Sequence, residues 1–256
     1  MPTTRRDVSI LFDGSFEGFL CVLYAYFYDG VSPLIIQEDD NHQPTLDTEE
    51  YFCITDYDKA EKVHQAVNKK ISPTAGHHLG NAFLADREDR YMTLFQYLLL
   101  GFKVGSRIDD SLQQDCVLRT HKLSRQVGRE AHLLTGFSRF EETQGGIFYC
   151  PLEPNNYVLP ILAEHFSDRM MNQSWIIHDK ARGKAAVYNG MEYVIADVPR
   201  SAQVTHTENE ARIQDLWLTF FDSVNIKERV NPKVQRNLIP YYFRKSMTEF
   251  KLRSGQ

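Results

Sequence analysis

The chain has 256 residues, of which 42% are hydrophobic and 25% charged, as in a globular protein with a sizeable core. Its net charge of −5 excludes a protein coated in positive charge, so any contact with nucleic acid must come from a local patch. The longest apolar region, Met92–Val104, is too short for a membrane span and no signal peptide is visible. We therefore expect a cytoplasmic protein with no membrane contact.

The N-terminal region predicts two β-α units. Val8–Phe12 is typical of a strand, and Asp13-Gly14-Ser15 supplies a turn whose serine caps the following helix. After a polar, acidic loop over Glu38–Glu50, Tyr51–Thr55 predicts a second strand, and Asp56 caps a second helix. We expect the two strands to pair in one small sheet.

The stretch 73–134 predicts mainly helices, including a long helix that Asp86 caps and Gly105 ends. His77 and His78 are expected in a glycine-flanked loop (AGHHLG). Two adjacent histidines need a third ligand to hold a metal, and none follows at ligand spacing. We therefore expect no metal site and no cofactor.

The helix over Cys116–Leu134 separates apolar from basic residues. At 100° per residue, one face carries Leu123, Val127, Ala131 and Leu134, and the other carries Lys122, Arg125, Arg129 and His132. A one-sided basic stripe can contact phosphates, and it can equally be an ordinary solvated face.

The second half of the chain predicts a sheet. Gly145-Gly146 is expected to connect two hairpin strands, Phe137–Glu142 and Ile147–Cys150. Val158–Arg169 is expected to be helical, and Asn189-Gly190 is typical of a two-residue hairpin turn. Three strands follow the helix: Trp175–His178, Ala185–Tyr188 and Tyr193–Ala196. We expect an antiparallel sheet of about five strands with one inserted helix.

The C-terminal region predicts helices that pack on this sheet. Thr207 and Glu210 form a capping box. Behind it runs an apolar stripe that we expect to be buried: Ile213, Leu216, Trp217, Phe220, Phe221 and Val224. Asn231 and Pro232 are expected to begin a short helix.

Basic residues are concentrated after residue 226, with aromatic residues among them. Basic groups bind phosphates and aromatic rings can stack on unpaired bases, although the same residues can form core and solvated surface. The candidate nucleic-acid-binding residues of this region are Arg229, Lys233, Arg236, Tyr241, Arg244 and Lys245.

Catalysis has weaker support. His178 and Asp179 at a strand end, with Arg182 in the following turn, could supply an acid-base group and an anion clamp. Neighbours on a strand point to opposite faces, however, so a hairpin turn explains most of this pattern. Asp13 could be a catalytic carboxylate, but a turn residue is the favoured interpretation. The chain shows no phosphate-binding glycine loop, no G-x-S-x-G, no H-E-x-x-H and no clustered cysteines.

Three separated motifs resemble a bacterial family of unknown function whose members are described as probable DNA metabolism proteins. The motifs are LFDGSFEGFL, the stretch from FSRFEETQGGIFYC to SWIIHDKARGKAAVY, and ERVNPKVQRNLIPYYFRK. The resemblance implies pairing with a radical-SAM protein proposed to act in DNA modification or repair. It also implies a module found fused to a uracil-DNA glycosylase-like domain, and it gives no catalytic residue.

These observations predict an α+β protein with small N-terminal β-α units, a helical middle, the five-stranded sheet and C-terminal helices. We expect one family-length unit over 1–256, with sub-regions 1–72, 73–135 and 136–256. The favoured function is a DNA-binding accessory protein that presents single- or double-stranded DNA to a radical-SAM enzyme, and a glycosylase-like protein is a further expected partner. Two alternatives remain open: an enzyme acting on DNA or nucleotides, and a protein-interaction subunit without DNA affinity.

Overall fold

A computed structural model describes residues 5–41, 48–202, 204–224, 231, 239 and 241–251. The chain divides into two compact units, Met1–Gly128 and Arg129–Gln256. Helices and strands occur in both units, which confirms the predicted α+β class.

The first unit begins with a parallel sheet. Its elements are β1 (Arg6–Phe12), α1 (Phe16–Tyr28), β2 (Val31–Glu38), β3 (Glu50–Phe52) and α2 (Tyr57–Lys70). The strand order is β2-β1-β3, so the predicted pairing of the first strand with that near residue 51 is confirmed. Ser15 caps α1 by accepting from the Gly18 N–H, and Asp56 caps α2 in the same way, as predicted.

Strand β2 is an element that the sequence analysis did not predict. Pro33 lies inside it, and the register with β1 shifts between Val8 and Ser9, opposite this proline. Proline cannot donate to a strand ladder and is tolerated in edge strands and at bulges. Because β2 is the edge strand of this sheet, its proline is accommodated.

The middle of the chain is helical, as predicted. It contains α3 (Pro73–Phe83), α4 (Arg90–Val104), a 3₁₀ helix (Gly105–Asp110) and α5 (Asp115–Phe137). The prediction that Asp86 caps the long helix is wrong: α4 begins at Arg90, three residues later than such a cap implies, with Asp89 at its N-cap. His77 and His78 lie within α3 rather than in a loop, because Ser72 caps that helix just before them and Gly76 and Gly80 are tolerated inside it.

The second unit contains a five-stranded sheet. Its elements are β4 (Glu141–Glu142), β5 (Phe148–Leu152), α6 (Leu159–Arg169), β6 (Trp175–Asp179), β7 (Lys184–Tyr188), β8 (Tyr193–Asp197), α7 (Glu208–Val224), α8 (Tyr241–Arg244) and α9 (Thr248–Lys251). The sheet order follows the chain from β4 to β8, which confirms the five strands and the inserted helix. The first strand is shorter than the predicted Phe137–Glu142, because α5 continues to Phe137 and β4 covers only Glu141–Glu142. One ladder differs from the antiparallel prediction: β5 and β6 are parallel, because α6 returns the chain to the same end of the sheet.

The turn between β7 and β8 is longer than predicted. It contains four residues, and the side-chain oxygen of Asn189 accepts from the backbone N–H groups of Met191 and Glu192 at 2.9 and 3.0 Å. Gly190 has a φ of 96°, a backbone conformation that residues other than glycine rarely adopt. Asn189 therefore holds this turn through its side chain rather than as one half of a two-residue turn.

The apolar stripe of α7 is less buried than predicted. Ile213, Leu216, Phe220 and Val224 are 51%, 64%, 55% and 57% exposed. Trp217 is partly buried, and its indole N–H donates to Glu249 at 3.1 Å. The periodicity correctly predicts an amphipathic helix, but most of its apolar face contacts little of the described chain.

The capping box of α7 forms only in part. The Thr207 hydroxyl accepts from the Glu210 N–H at 3.1 Å, as predicted. The Glu210 carboxylate instead accepts from the backbone N–H of Glu142 at 2.9 Å, which ties α7 to β4. In the part of the chain that the structure describes, no helix is long and apolar enough to cross a membrane.

Candidate functional site

The basic face of α5 is exposed along its length. Lys122, Arg125 and Arg129 are all exposed to solvent, at helical spacings of three and four residues. The opposite face is buried: Leu123 is 9%, Val127 0%, Ala131 2% and Leu134 2% exposed. The separation of the two faces predicted from the sequence is therefore confirmed.

The charges of this face are not neutralised by the described residues. None of the side chains of Lys122, Arg125 and Arg129 forms an ion pair or hydrogen bond within the described ranges. Arg119, on the same helix, differs, because its guanidinium lies 2.8 Å from Asp115 and 3.5 Å from Asp89. The three cations remain available for phosphate groups, and Arg119 is already paired.

A histidine pair lies next to this helix face, and the sequence analysis did not predict it. The rings of His78 and His121 lie 4.1 Å apart, and Nδ1 of His78 is 3.0 Å from the Ser124 hydroxyl. Burial lowers the pKa of both histidines, and the nearby Arg125 lowers both further. Among the described residues, no group of three His, Cys, Asp or Glu side chains could hold a metal ion.

The C-terminal candidates are partly engaged in contacts within the chain. Lys245 lies 2.7 Å from Glu153. The guanidinium of Arg244 donates to the Ile239 carbonyl at 3.0 Å and lies over the Phe250 ring. Arg229, Lys233 and Arg236 lie outside the described residues, as does the helix expected to begin at Pro232. Only the backbone of Tyr241 is described, in α8.

His178 and Asp179 point away from one another on β6, as strand alternation requires. His178 is fully buried; its Nδ1 lies 2.7 Å from the Tyr149 hydroxyl, and its Nε2 has no partner among the described residues. Burial, reinforced by Lys180, lowers the pKa of His178, so the ring is neutral at pH 7. No direct dyad with Asp179 forms.

Asp179 and Arg182 organise a turn and a loop. Their side chains lie 3.1 Å apart, the Gly183 N–H donates to the Asp179 carbonyl, and Arg182 also donates to the carbonyls of Pro154 and Asn155. Burial raises the pKa of Asp179, although Arg182 acts in the opposite direction. The hairpin turn expected from these residues is therefore present.

Asp13 occupies the turn between β1 and α1 in the first unit. Its carboxylate accepts from the backbone N–H of Ser15 at 3.0 Å, from the Ser15 hydroxyl at 2.6 Å and from the Thr55 hydroxyl at 2.8 Å. Partial burial alone would raise the pKa of Asp13, but these hydrogen bonds outweigh it and hold the pKa below its usual value. These contacts match the favoured interpretation of Asp13 as a turn residue that orders the start of α1.

A polar pocket of about 250 Å³ opens on the second unit. Its polar lining is Glu141, Tyr149, Lys180 and His206, and Pro151, Ala202 and Val204 supply apolar surface. None of His178, Asp179, Arg182 and Asp13 is among these lining residues, and catalysis by those four stays a prediction. Sequence analysis missed this pocket, because its polar residues come from separate segments with no motif spacing between them.

A family model for a domain of unknown function, DUF4130, matches residues 88–249, which is more than half of the chain. The chain belongs to the DUF4130 family. The matched region includes α5 and the pocket of the second unit. No curated protein matches the chain.

One solved structure is similar to this DUF4130 chain at low identity. It is described as the pGpG-specific phosphodiesterase PggH from Vibrio cholerae, with 10% sequence identity and a TM-score of 0.34. The match covers 87% of this chain and 100% of the phosphodiesterase chain. At that TM-score the likeness supports no argument about fold or activity.

Proposed function

We propose that this protein binds nucleic acid through its phosphate backbone, with the basic face of α5 as the principal contact. The observation that supports it is the exposure of Lys122, Arg125 and Arg129 along one side of a helix, without acidic partners in the described ranges. A phosphate backbone presents negative charges at regular spacing, and each Lys or Arg that contacts it releases condensed counterions. Such binding is independent of base sequence.

A buried back face makes this helix a suitable support for the three cations. Val127, Ala131 and Leu134 are buried, so the helix face opposite the three cations is packed and the cations lie on the solvent side. The overall net charge of −5 does not oppose this mode, because interactions beyond about 10 Å are screened at 0.1 M salt. Local charge therefore determines the contact.

The test compares three proteins by fluorescence anisotropy with labelled single- and double-stranded 20-mers. The triple variant Lys122→Gln, Arg125→Gln, Arg129→Gln should lose affinity by about eightfold per contact at 0.1 M salt, and therefore by about 500-fold for three contacts. Arg119→Gln is the matched control and should bind almost as the wild type does, because its cation is already paired. Equal losses in both variants, or none in either, would contradict the proposal.

A second set of variants tests the C-terminal candidates separately. Arg229→Gln, Lys233→Gln and Arg236→Gln should weaken binding further if that segment extends the contact. Lys245→Gln should have a smaller effect, because Glu153 already neutralises its ammonium group.

The DNA-metabolism context and the radical-SAM partner are part of the proposal and rest on the family resemblance alone. We propose that the protein presents DNA to such an enzyme. Co-expression with the radical-SAM protein should give a complex that survives gel filtration, and separate elution of the two proteins with and without DNA would contradict it.

A second candidate function is a protein-interaction subunit, which the exposed side chains on α7 favour. Leu216 and Phe220 lie one turn apart and are both more than half exposed. This function predicts that the wild type binds the radical-SAM protein but has no affinity for DNA on its own, and that replacing both residues by Ser abolishes the complex. DNA binding by the isolated wild type, or an undiminished complex with a folded Leu216→Ser, Phe220→Ser protein, would contradict this assignment.

A further inference from the structure

Strand β8 is an edge of the five-stranded sheet, and its outer side is open. It is the last strand in the sheet order, and among the described strands it pairs with β7 alone. All five of its residues are exposed, and three of them are the large apolar residues Tyr193, Val194 and Ile195. An exposed apolar edge strand offers a row of backbone donors and acceptors to which another strand can add.

The ends of the β7–β8 ladder show how its backbone hydrogen bonds alternate. At the turn, the Asn189 N–H donates to the Glu192 carbonyl at 3.3 Å. At the other end, the Val198 N–H donates to the Gly183 carbonyl at 2.8 Å. These two pairs are therefore hydrogen-bonded pairs of the ladder, and every second pair between them is of the same kind.

This alternation decides which backbone groups of β8 face outward. Val194 and Ala196 occupy the hydrogen-bonded positions and so bond to β7. The N–H and carbonyl groups of Tyr193, Ile195 and Asp197 point to the outer edge instead. There they have no hydrogen-bond partner in the part of the chain that the structure describes.

The other described edge strands are protected against further pairing, and β8 is not. Strand β2 contains Pro33 and a register shift, β3 has only three residues, and β4 consists of two glutamates. Prolines, bulges, charges and short length are the features that keep sheet edges from pairing. The stretch Tyr193–Ala196 has none of them, and the register of β8 with β7 is continuous over all five residues.

We propose that β8 pairs with β8 of a second copy of this chain, antiparallel about a twofold axis at Ile195. The inference goes beyond the proposed nucleic-acid binding and does not depend on it. In this register Ile195 lies opposite Ile195 of the second copy, and Tyr193 of each copy lies opposite Asp197 of the other. All three outward residues of each strand then form hydrogen-bonded pairs, and the two sheets join into one.

The sequence of β8 favours this register over its neighbours. Moving the axis one residue towards the β7–β8 turn puts Asp197 opposite that turn. Moving it one residue the other way puts Tyr193 opposite Pro199, which has no N–H to donate. With the axis at Ile195, Asp197 lies opposite an uncharged residue, so no like charges meet across the ladder. The strand is therefore complementary to itself.

Twofold pairing of this kind closes at two copies, because each copy offers one such edge among its described strands. A five-residue ladder is short beside the interfaces of about 1,200–2,000 Å² that hold stable complexes together. We therefore expect a reversible dimer with a dissociation constant of roughly 10–100 µM.

The test measures the mass of the full chain by sedimentation velocity from low to several hundred micromolar concentration. The wild type should shift from 29.7 kDa towards twice that mass as its concentration rises. Ile195→Lys places two like charges opposite one another at the axis and should weaken association about tenfold or more. Met191→Lys is the matched control: it adds the same charge in the turn, at a residue that is 89% exposed and outside the ladder, and it should dimerise as the wild type does.

A mixture of two variants tests the register itself. Ile195→Glu should also weaken association, for the same reason as Ile195→Lys. An equimolar mixture of the two should associate at least as tightly as the wild type, because opposite charges then meet at the axis. Recovery in the mixture requires residue 195 to lie opposite itself, and misfolding of either variant cannot produce it.

The remaining outcomes overturn the proposal. A wild type that stays monomeric at the highest concentration does so, as does a dimer that Ile195→Lys and Met191→Lys weaken equally. A mixture of the two Ile195 variants that stays monomeric overturns the twofold pairing at Ile195. A monomeric wild type that binds the radical-SAM protein, in a complex that Ile195→Lys abolishes, assigns the edge to that partner instead. Failure of DNA binding by α5 leaves each of these results unchanged, so the two proposals are tested separately.

Discussion

Replacing Glu130 by Ala removes a carboxylate that holds a loop of the second unit in place. Glu130 is 5% exposed, and its oxygens accept from the backbone N–H groups of Asn155 and Asn156 at 2.7 and 2.9 Å and from the Asn156 side chain at 2.6 Å. A hydrogen bond to a charged group contributes about 1.5–3 kcal/mol. Because these loop N–H groups lie near solvent and can regain water, we expect the free energy of unfolding to fall by about 2–4 kcal/mol.

Urea denaturation followed by tryptophan fluorescence measures this loss directly. Both tryptophans, Trp175 and Trp217, belong to the second unit, so the signal reports its unfolding. Glu130→Gln keeps the shape of the side chain but turns one oxygen into a donor, and its loss should be intermediate. Glu164→Ala, at an exposed position on α6, is the control. A loss for Glu130→Ala as small as that of the control would refute the reasoning.

Three further predictions follow from local contacts. Gly18→Ala should destabilise the first unit, because the new Cβ would lie 2.3 Å from a carboxylate oxygen of Asp13; unchanged thermal stability would contradict this. Burial lowers the pKa of His178 from its ordinary value of 6.5, so the unfolded chain binds a proton on this residue more readily than the folded chain does. The contribution of the neutral His178 to the free energy of unfolding is therefore present above pH 6.5 and is lost as the pH falls below 6.5. Urea titrations at pH 7.5 and 5.5 should show a smaller loss for His178→Gln than for the wild type, and equal losses would argue against the assignment. Burial raises the pKa of both Cys116 and Cys150, but Cys116 is only half-buried, whereas Cys150 is buried and its pKa rises to about 12. A thiol reagent should therefore label Cys116 first in the native protein, and the reverse order would contradict this.

The elements that sequence predicted well are those decided by neighbours in the chain. Ser15 and Asp56 cap their helices because a side-chain oxygen needs only the N–H groups two or three residues ahead. The predicted helix Val158–Arg169 corresponds to α6 for a similarly local reason: Pro160 lies in its first turn, where the N–H that proline lacks would have no partner within the helix.

The elements that sequence predicted poorly depend on partners far along the chain. The direction of the β5–β6 ladder is decided by the path of α6 across the sheet, and strand patterns alone do not encode it. The stripe on α7 shows the same limit. Its period predicts an apolar face, but Leu216 is 64% exposed because periodicity does not specify what packs against that face.

The candidate sites show the same difference between features decided by chain neighbours and features decided by distant partners. The shared face of Lys122 and Arg125 follows from the helical period. The helical period does not predict which of these cations are already neutralised. Arg119, for example, pairs with Asp89, thirty residues earlier, as well as with Asp115. The pocket residues were missed because no spacing relates Glu141 and Lys180; the fold alone brings them together.

The salt dependence of DNA binding tests the central claim most directly. The affinity of the wild type and of the Lys122→Gln, Arg125→Gln, Arg129→Gln variant is measured from 50 to 300 mM salt with one duplex 20-mer. Each lost phosphate contact should reduce the slope of log K against log salt by about 0.9, so the variant's slope should be shallower by roughly 2 to 3. Parallel slopes for the two proteins, or a wild type whose affinity does not change with salt, would contradict phosphate binding by α5.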